Sequence, residues 1–138
     1  MTAWIFSTEP ASYPWAVVEK EKTVLWDGIR GPLARKHLRT VQAGDRVWGY
    51  HGSPEKRLVC WANVVSPAVP DPKDPAWLAV SLTFDRWLEK PIPRSTLLET
   101  PALKSLPFLR IPRLSVSPVS EEEEKILLHL GQPFPPTV

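Results

Sequence analysis

The sequence contains very little of the residues on which disulfide-stabilised and metal-stabilised folds depend. Of its 138 residues one is cysteine, Cys60, and three are histidine. A single cysteine excludes a disulfide scaffold. Cys60 and the histidines His37, His51 and His129 share no finger-like spacing, which all but excludes a structural zinc site, and we expect no bound metal.

Long apolar runs are also missing. The longest span a few residues, against the roughly 20 needed to cross a bilayer. Residues 1–4 lack the basic and apolar regions of a secretory signal, so we expect an intracellular protein that makes no membrane contact. Gly-rich phosphate loops and dinucleotide fingerprints are absent, and we expect no cofactor. These absences favour one domain over residues 1–131, with a Pro-rich tail at 132–138.

The chain is rich in tryptophan and proline, with seven and 17 residues, and its charge is unevenly distributed. The net charge is +2 overall, but segment 28–58 carries +5 and the rest of the chain −3. Segregated positive charge is typical of proteins that bind polyanions, although a solvated helix face and a hairpin tip would give the same count. The candidate phosphate-binding cations of this basic rim are Arg30, Arg35, Lys36 and Arg39.

Short strands and short helices alternate irregularly along the chain. β-prone or alternating patterns predict strands at 3–7, 23–25, 46–51, 57–65, 77–88 and 114–116. Helical spacing and capping signals predict a first helix capped by Ser12, a basic amphipathic helix that begins at Gly31-Pro32, and a terminal helix begun by a capping box at Ser120. We expect a turn at 26–28 and a loop at 67–75. Without regular βαβ units, this order predicts an α+β domain around a curled antiparallel sheet.

Several short motifs, taken in order, resemble the EVE domain. They are Ser7-Thr8-Glu9-Pro10, Trp26-Asp27-Gly28-Ile29-Arg30, Ala34-Arg35, Gly44-Asp45-Arg46-Val47, Tyr50-His51, Pro70-Asp71-Pro72 and the segment 113–119. The resemblance covers about residues 3–131 and implies a PUA-like β-barrel with short helices packed around it, related in architecture to YTH readers of methylated RNA. It also implies a non-catalytic reader that accepts a single, often modified, nucleobase in a pocket.

A base reader needs a flat apolar surface, a few directed hydrogen bonds and cations for the flanking phosphates. Trp26 is the first candidate for the stacking surface, because it precedes a Gly turn and need not lie inside a strand. Stacking of a base on an aromatic side chain contributes ~1–3 kcal/mol to binding. The other base-pocket candidates would supply walls and polar groups: Ser7, Glu9, Pro10, Asp27, Gly28, Trp48, Tyr50 and His51. Structural roles compete for the same residues, as barrel filling does for Trp48 and Tyr50.

The sequence departs from the EVE pattern next to these candidates. Many relatives carry Asn, an aromatic residue and Gln after the Trp-Asp-Gly-Ile-Arg motif, where this chain has Gly31, Pro32 and Leu33. After Tyr50-His51 most relatives have Ser, and this chain has Gly52. The lost amide side chains predict that backbone groups and the N–H groups at the start of the second helix substitute for them.

Two other function classes use the same residues differently. An enzyme would need a Cys60–His51 dyad across the hairpin, but nothing in the local sequence activates the thiol. Cys60 is predicted to share a strand face with Leu58 and Ala62, which suits a small core residue. A module for a free nucleoside or nucleotide would use the pocket without polymer contacts. The sequence favours neither DNA nor RNA as the partner, and it indicates no oligomeric state.

Overall fold

The computed structural model describes residues 3–29, 31–111 and 114–131 of the chain. These residues fold around one mixed β-sheet. In these residues the strands are β1 Ala3–Thr8, β2 Thr23–Ile29, β3 Arg46–His51, β4 Arg57–Val64, β5 Val69–Asp71, β6 Asp74–Pro93 and β7 Val116–Val119. The α-helices are α1 Trp15–Glu21, α2 Pro32–Leu38, α3 Arg94–Glu99, α4 Pro107–Arg110 and α5 Glu121–Leu130, and a 3-10 helix spans Pro101–Leu103. The predicted Pro-rich tail at 132–138 lies outside the described residues.

The strand order is β2-β6-β4-β3-β1-β7, and β5 pairs with β6. β1 and β3 run parallel, whereas the other pairs are antiparallel. A parallel pair needs a long crossover, which α1, β2 and α2 supply between β1 and β3. The expected α+β class is confirmed, with this one pair departing from the expected antiparallel pairing.

The sheet is strongly curled. Three strands separate β1 from β2 in the sheet order. The ring centroids of Phe6 on β1 and Trp26 on β2 nevertheless lie only 5.8 Å apart. The curl therefore brings the face of β2 against the face of β1, and it encloses an inner core.

Apolar side chains fill two cores, one on each face of the sheet. In β1, Trp4 and Phe6 point into the inner core, which also receives Trp15 from α1 and Leu38 from α2. The alternate residue Ile5 belongs to the outer core, covered by side chains from the C-terminal half: Leu97, Leu103, Leu106, Phe108 and Leu127. Each large side chain that becomes fully buried contributes roughly 1.5–3 kcal/mol. Since Trp4 and Phe6 lie in one core and Ile5 in the other, both faces of β1 are buried, as its apolar sequence requires.

Local signals predicted several boundaries correctly. Gly44 has φ +88°, which glycine tolerates and most residues do not, and it forms the turn before β3. The capping box of α5 is confirmed, because the Ser120 hydroxyl accepts a hydrogen bond from the Glu123 N–H at 3.1 Å. The Glu123 carboxylate in turn accepts one from the Ser120 N–H at 2.9 Å.

Three predicted local features are wrong. The N-cap of α1 is Pro14 and not Ser12, and no side chain caps this helix. The turn expected at 26–28 lies inside β2, because pairing with β6 continues through Trp26 and resumes at Ile29 after a bulge. The segment 67–75 contains the strand β5, which pairs with the start of β6.

Replacement of Gly49 by any larger residue should destabilise the fold, because β3 passes directly beneath the Trp15 ring of α1. A Cβ built on Gly49 would lie 2.5 Å from the Cys60 Sγ and 2.6 Å from Cε2 of the Trp15 ring. We expect Gly49→Ala to lower the free energy of unfolding by about 1–3 kcal/mol, measured by urea denaturation. Gly52→Ala is the control, since its nearest neighbour, the Thr8 carbonyl oxygen, is 3.7 Å away. Equal stability of the two variants would contradict this account.

Candidate base-binding cavity

A cavity of about 410 Å³ opens beside Trp26, where the end of β1 meets the second half of β2. Its volume falls in the roughly 300–1,000 Å³ range of small-molecule sites. The cavity is lined by Ser7, Thr8, Tyr13, Leu25, Trp26, Asp27, Ile29 and Ser115. Three residues predicted for a base pocket, Ser7, Trp26 and Asp27, therefore lie together at one cavity.

Trp26 is a fixed wall of this cavity. Its side chain is only 7% exposed. Trp15 stacks on it with ring centroids 4.8 Å apart and planes 21° apart, and Tyr13 meets it edge-on at 5.7 Å. The expectation that Trp26 lies outside a strand is wrong, since it belongs to β2. Its position is set by aromatic packing and by sheet pairing together.

The cavity presents hydrogen-bond donors and an acceptor. Burial, followed by the nearby carboxylates Glu21 and Asp27, raises the pKa of the Tyr13 phenol, so its hydroxyl stays protonated and can donate. The Asp27 carboxylate lies 3.4 Å from the Lys73 ammonium. The Ser7 N–H donates to the Ser115 carbonyl at 2.9 Å, which holds the two serines at one edge of the cavity.

A second cavity, of about 420 Å³, adjoins the first. Ser7 lines both cavities, which places them side by side. The second contains two other predicted pocket residues, Glu9 and Tyr50, together with the cations Lys56 and Arg94. We call the two spaces the Trp26 cavity and the Arg94 cavity.

Three other predicted pocket residues, Pro10, Trp48 and His51, line neither cavity. Trp48 is fully buried in the outer core, and its indole N–H donates to the Glu124 carboxylate at 2.9 Å. His51 is buried, its Nε2 accepts the Trp15 N–H at 3.0 Å, and its Nδ1 lies 3.0 Å from Glu55 Oε1. Pro10 lies in the turn after β1, and Gly28 lies in the bulged part of β2.

The predicted basic rim does not reach either cavity in the described part of the chain. Arg35 donates from Nη1 to the Ala76 carbonyl at 3.1 Å, Lys36 is exposed on α2, and Arg39 is exposed directly after it. Arg30 lies outside the described residues. The cations at the cavities are instead Lys73, Lys56 and Arg94.

Sequence reasoning missed several lining residues. Tyr13 reaches the Trp26 cavity from the loop before α1, and Leu25 and Ile29 reach it from β2. Ser115 belongs to the 113–119 motif quoted for the resemblance, which is the one signal that could have marked it. No local pattern distinguishes Lys73 or Arg94 from other surface cations.

The structure argues against a thiol enzyme built on Cys60. Cys60 is fully buried, and burial raises the pKa of its thiol, so the thiolate is suppressed. Both ring nitrogens of His51 have other partners, and His51 pairs across the hairpin with Arg57. A register shift after Leu58 places that residue in the outer core, whereas Cys60 and Ala62 lie in the inner core. The predicted shared face is therefore confirmed for Ala62 and wrong for Leu58.

Among residues 3–29, 31–111 and 114–131, no three His, Cys, Asp or Glu side chains are grouped so that they could hold a metal ion. No helix in the same ranges has both the length and the apolar character that a membrane span requires.

The family model of the EVE domain matches residues 2–130, which is nearly the whole chain. The chain belongs to the EVE domain family. Mouse thymocyte nuclear protein 1 is 28% identical over 142 residues, and human thymocyte nuclear protein 1 is 25% identical over the same length. Each match covers 85% of this chain but 63% of the relative, so the chain spans less than two thirds of the length of these relatives.

Solved structures show the same EVE fold. Rpa0253 from Rhodopseudomonas palustris matches with TM-score 0.87 and 29% identity, over 95% of this chain and 93% of that one. Atu2648 from Agrobacterium tumefaciens matches with TM-score 0.89 and 25% identity, over 99% and 100% of the two chains. Human THYN1 in complex with 5-methylcytosine containing DNA matches with TM-score 0.87 over 98% and 100%, and at 22% identity this likeness is one of fold.

Cys60 should be inert in the native EVE domain. We expect no alkylation by iodoacetamide at pH 7.5 during hours of incubation, because the thiol is buried and protonated. Addition of urea should make the same thiol react within minutes, and intact-protein mass spectrometry measures both. Rapid modification of the folded protein would reopen the enzymatic interpretation.

Glu55 should make stability depend on pH. The hydrogen bond with His51, the largest effect, holds the pKa of this carboxyl below its ordinary value. The ionised Glu55 carboxylate therefore stabilises the folded protein above its unfolded pKa of about 4.3, and this stabilisation is lost as pH falls through the lower pKa of the folded state. We expect Glu55→Gln to be less stable than the unaltered protein at pH 7, with the difference shrinking towards pH 3. Glu99→Gln, at an exposed position, is the control, and an equal, pH-independent effect of both changes would refute the assignment.

Proposed function

We propose that this EVE domain is a non-catalytic nucleic-acid reader that takes one nucleobase, in modified form, into the Trp26 cavity. The observation that carries the proposal is the cavity itself, which combines an indole wall at Trp26 with the carboxylate of Asp27 and the hydroxyls of Ser7 and Tyr13. Enzymes and binding proteins that take up an extruded base use this combination of apolar faces and polar edge contacts.

The polar and apolar groups of the cavity suit a methylated cytosine. A carboxylate such as Asp27 accepts from the exocyclic amine of cytosine, and apolar side chains contact a methyl group at the neighbouring ring carbon. Leu25 and Ile29 flank Asp27 in the lining and supply such an apolar surface. Tyr13, which remains a protonated donor, suits the base carbonyl.

The relatives support DNA as the polymer to test first. Human THYN1, which shares the fold, is described in complex with 5-methylcytosine containing DNA. The same human protein, thymocyte nuclear protein 1, is 25% identical to this chain over 85% of its length. We therefore propose DNA containing a modified cytosine as the ligand and an intracellular site of action, with RNA and other modifications as further arms of the test.

A binding screen tests this function directly. Matched single-stranded DNA, double-stranded DNA and RNA oligonucleotides, with cytosine, 5-methylcytosine or 5-hydroxymethylcytosine at one position, are titrated at two salt concentrations. We expect tighter binding of a modified DNA than of its unmodified match, and weaker binding at the higher salt. Full retention of affinity by the isolated modified nucleoside would replace this proposal with a small-molecule module. No binding of any oligonucleotide would refute it.

Asp27 should carry discrimination between bases. We expect Asp27→Asn to reduce the preference for the favoured base by about 1–3 kcal/mol, because the amide replaces a full acceptor by one acceptor and one donor. Asp85→Asn is a matched control, since both carboxylates are 32% exposed and each lies beside one cation, Lys73 or Arg86. Asp85 lines neither cavity. Equal loss in both variants, measured by fluorescence anisotropy, would contradict the role of Asp27.

A further inference from the structure

The Arg94 cavity has a cationic lining. Its charged residues are Glu9, Lys56 and Arg94, which leaves one net positive charge in a space of about 420 Å³. Within the described ranges neither Lys56 nor Arg94 is paired with an acidic side chain. An ammonium and a guanidinium without acidic partners are suited to an anionic ligand.

The two cationic residues are joined through their backbones. The Arg94 N–H donates to the Lys56 carbonyl at 2.8 Å, which ties the start of α3 to the tip of the β3–β4 hairpin. The Arg94 side chain donates from Nη2 to the Leu109 carbonyl at 3.2 Å, so it is anchored at one corner. A guanidinium has five N–H donors, and this single bond leaves the others for a ligand.

The aromatic residues of the Arg94 cavity do not form a second stacking surface. Tyr50 and Phe108 are buried and meet edge-on, with ring centroids 5.1 Å apart and planes 67° apart. Burial raises the pKa of Tyr50, an effect that Arg94 opposes, so the phenol remains a neutral donor. The cavity therefore offers hydrogen-bond donors and cations, which is the chemistry of a phosphate site.

We propose that the Arg94 cavity binds the phosphodiester next to the base held in the Trp26 cavity. This inference rests on the proposed function, and Ser7, shared by both linings, marks where the strand passes from one cavity to the other. The ligand thus spans two adjoining cavities. The phosphate nearest the base contacts Lys56 and Arg94, and the cations of α2 do not contact it.

The first test removes a cation. Lys56→Gln should weaken binding of a short single-stranded DNA with one 5-methylcytosine by about two- to fivefold, as expected for one exposed ionic contact. The slope of log affinity against log salt should fall by roughly 0.7, the value for one phosphate contact on a single strand. Lys104→Gln is the control, because Lys104 is exposed, carries the same charge and lines neither cavity.

The second test leaves the protein unaltered and neutralises one phosphate. Methylphosphonate replaces, in separate oligonucleotides, the linkage on either side of the 5-methylcytosine or a linkage four nucleotides away. We expect a loss of affinity for one adjacent linkage only, and that loss should be smaller in Lys56→Gln and in Arg94→Gln, because each variant retains one of the two cations. DNA binding with no effect of the adjacent linkages or of Lys56→Gln would overturn this inference and leave the proposed function intact. Absence of DNA binding by the unaltered protein would overturn both.

Discussion

The packing of Trp15 is the interaction on which both cavities depend. Its ring stacks on Trp26 at 4.8 Å, its backbone N–H donates to His51 at 3.0 Å, and its indole N–H donates to the Tyr50 carbonyl at 3.3 Å. One residue at the start of α1 therefore fixes a wall of the Trp26 cavity and the strand end that lines the Arg94 cavity. Because Trp15 is fully buried, movement of either wall would disturb the inner core.

This arrangement gives His51, a predicted site residue, a structural role. His51 stands beside Tyr50 at a strand end, where a ligand contact is plausible from sequence, but its two nitrogens are used by Trp15 and Glu55. These bonds join the hairpin tip to α1 and fix the end of β3. A pocket assembled by strand ends needs such internal bonds, because they hold the residues that line it in position.

The sequence predicts those parts of the fold that depend on neighbouring residues. The β3–β4 hairpin, α2 behind Gly31-Pro32 and the capping box at Ser120 are local signals, and all three are present. Ser7, Trp26 and Asp27 were predicted for a pocket, and they line one cavity. Lys73 and Arg94 were not predicted, because contacts between distant segments place Lys73 beside Asp27 and Arg94 in the lining of the Arg94 cavity. Bulges in β2 and β4 shift strand faces by one residue, which alternation alone does not show.

The cavity linings also explain how the departures from the EVE pattern can leave a polar pocket in place. Gly31, Pro32 and Leu33, where the resemblance implies amide and aromatic residues, line neither cavity. The polar groups of the Trp26 cavity come from the end of β1, from Tyr13, from Asp27 in β2 and from the segment before β7. The donors and the acceptor proposed for the base edge therefore do not depend on the residues that changed. The lining of the Trp26 cavity is therefore built by the curled sheet and its loops, and Gly31, Pro32 and Leu33 at the start of α2 have no part in it.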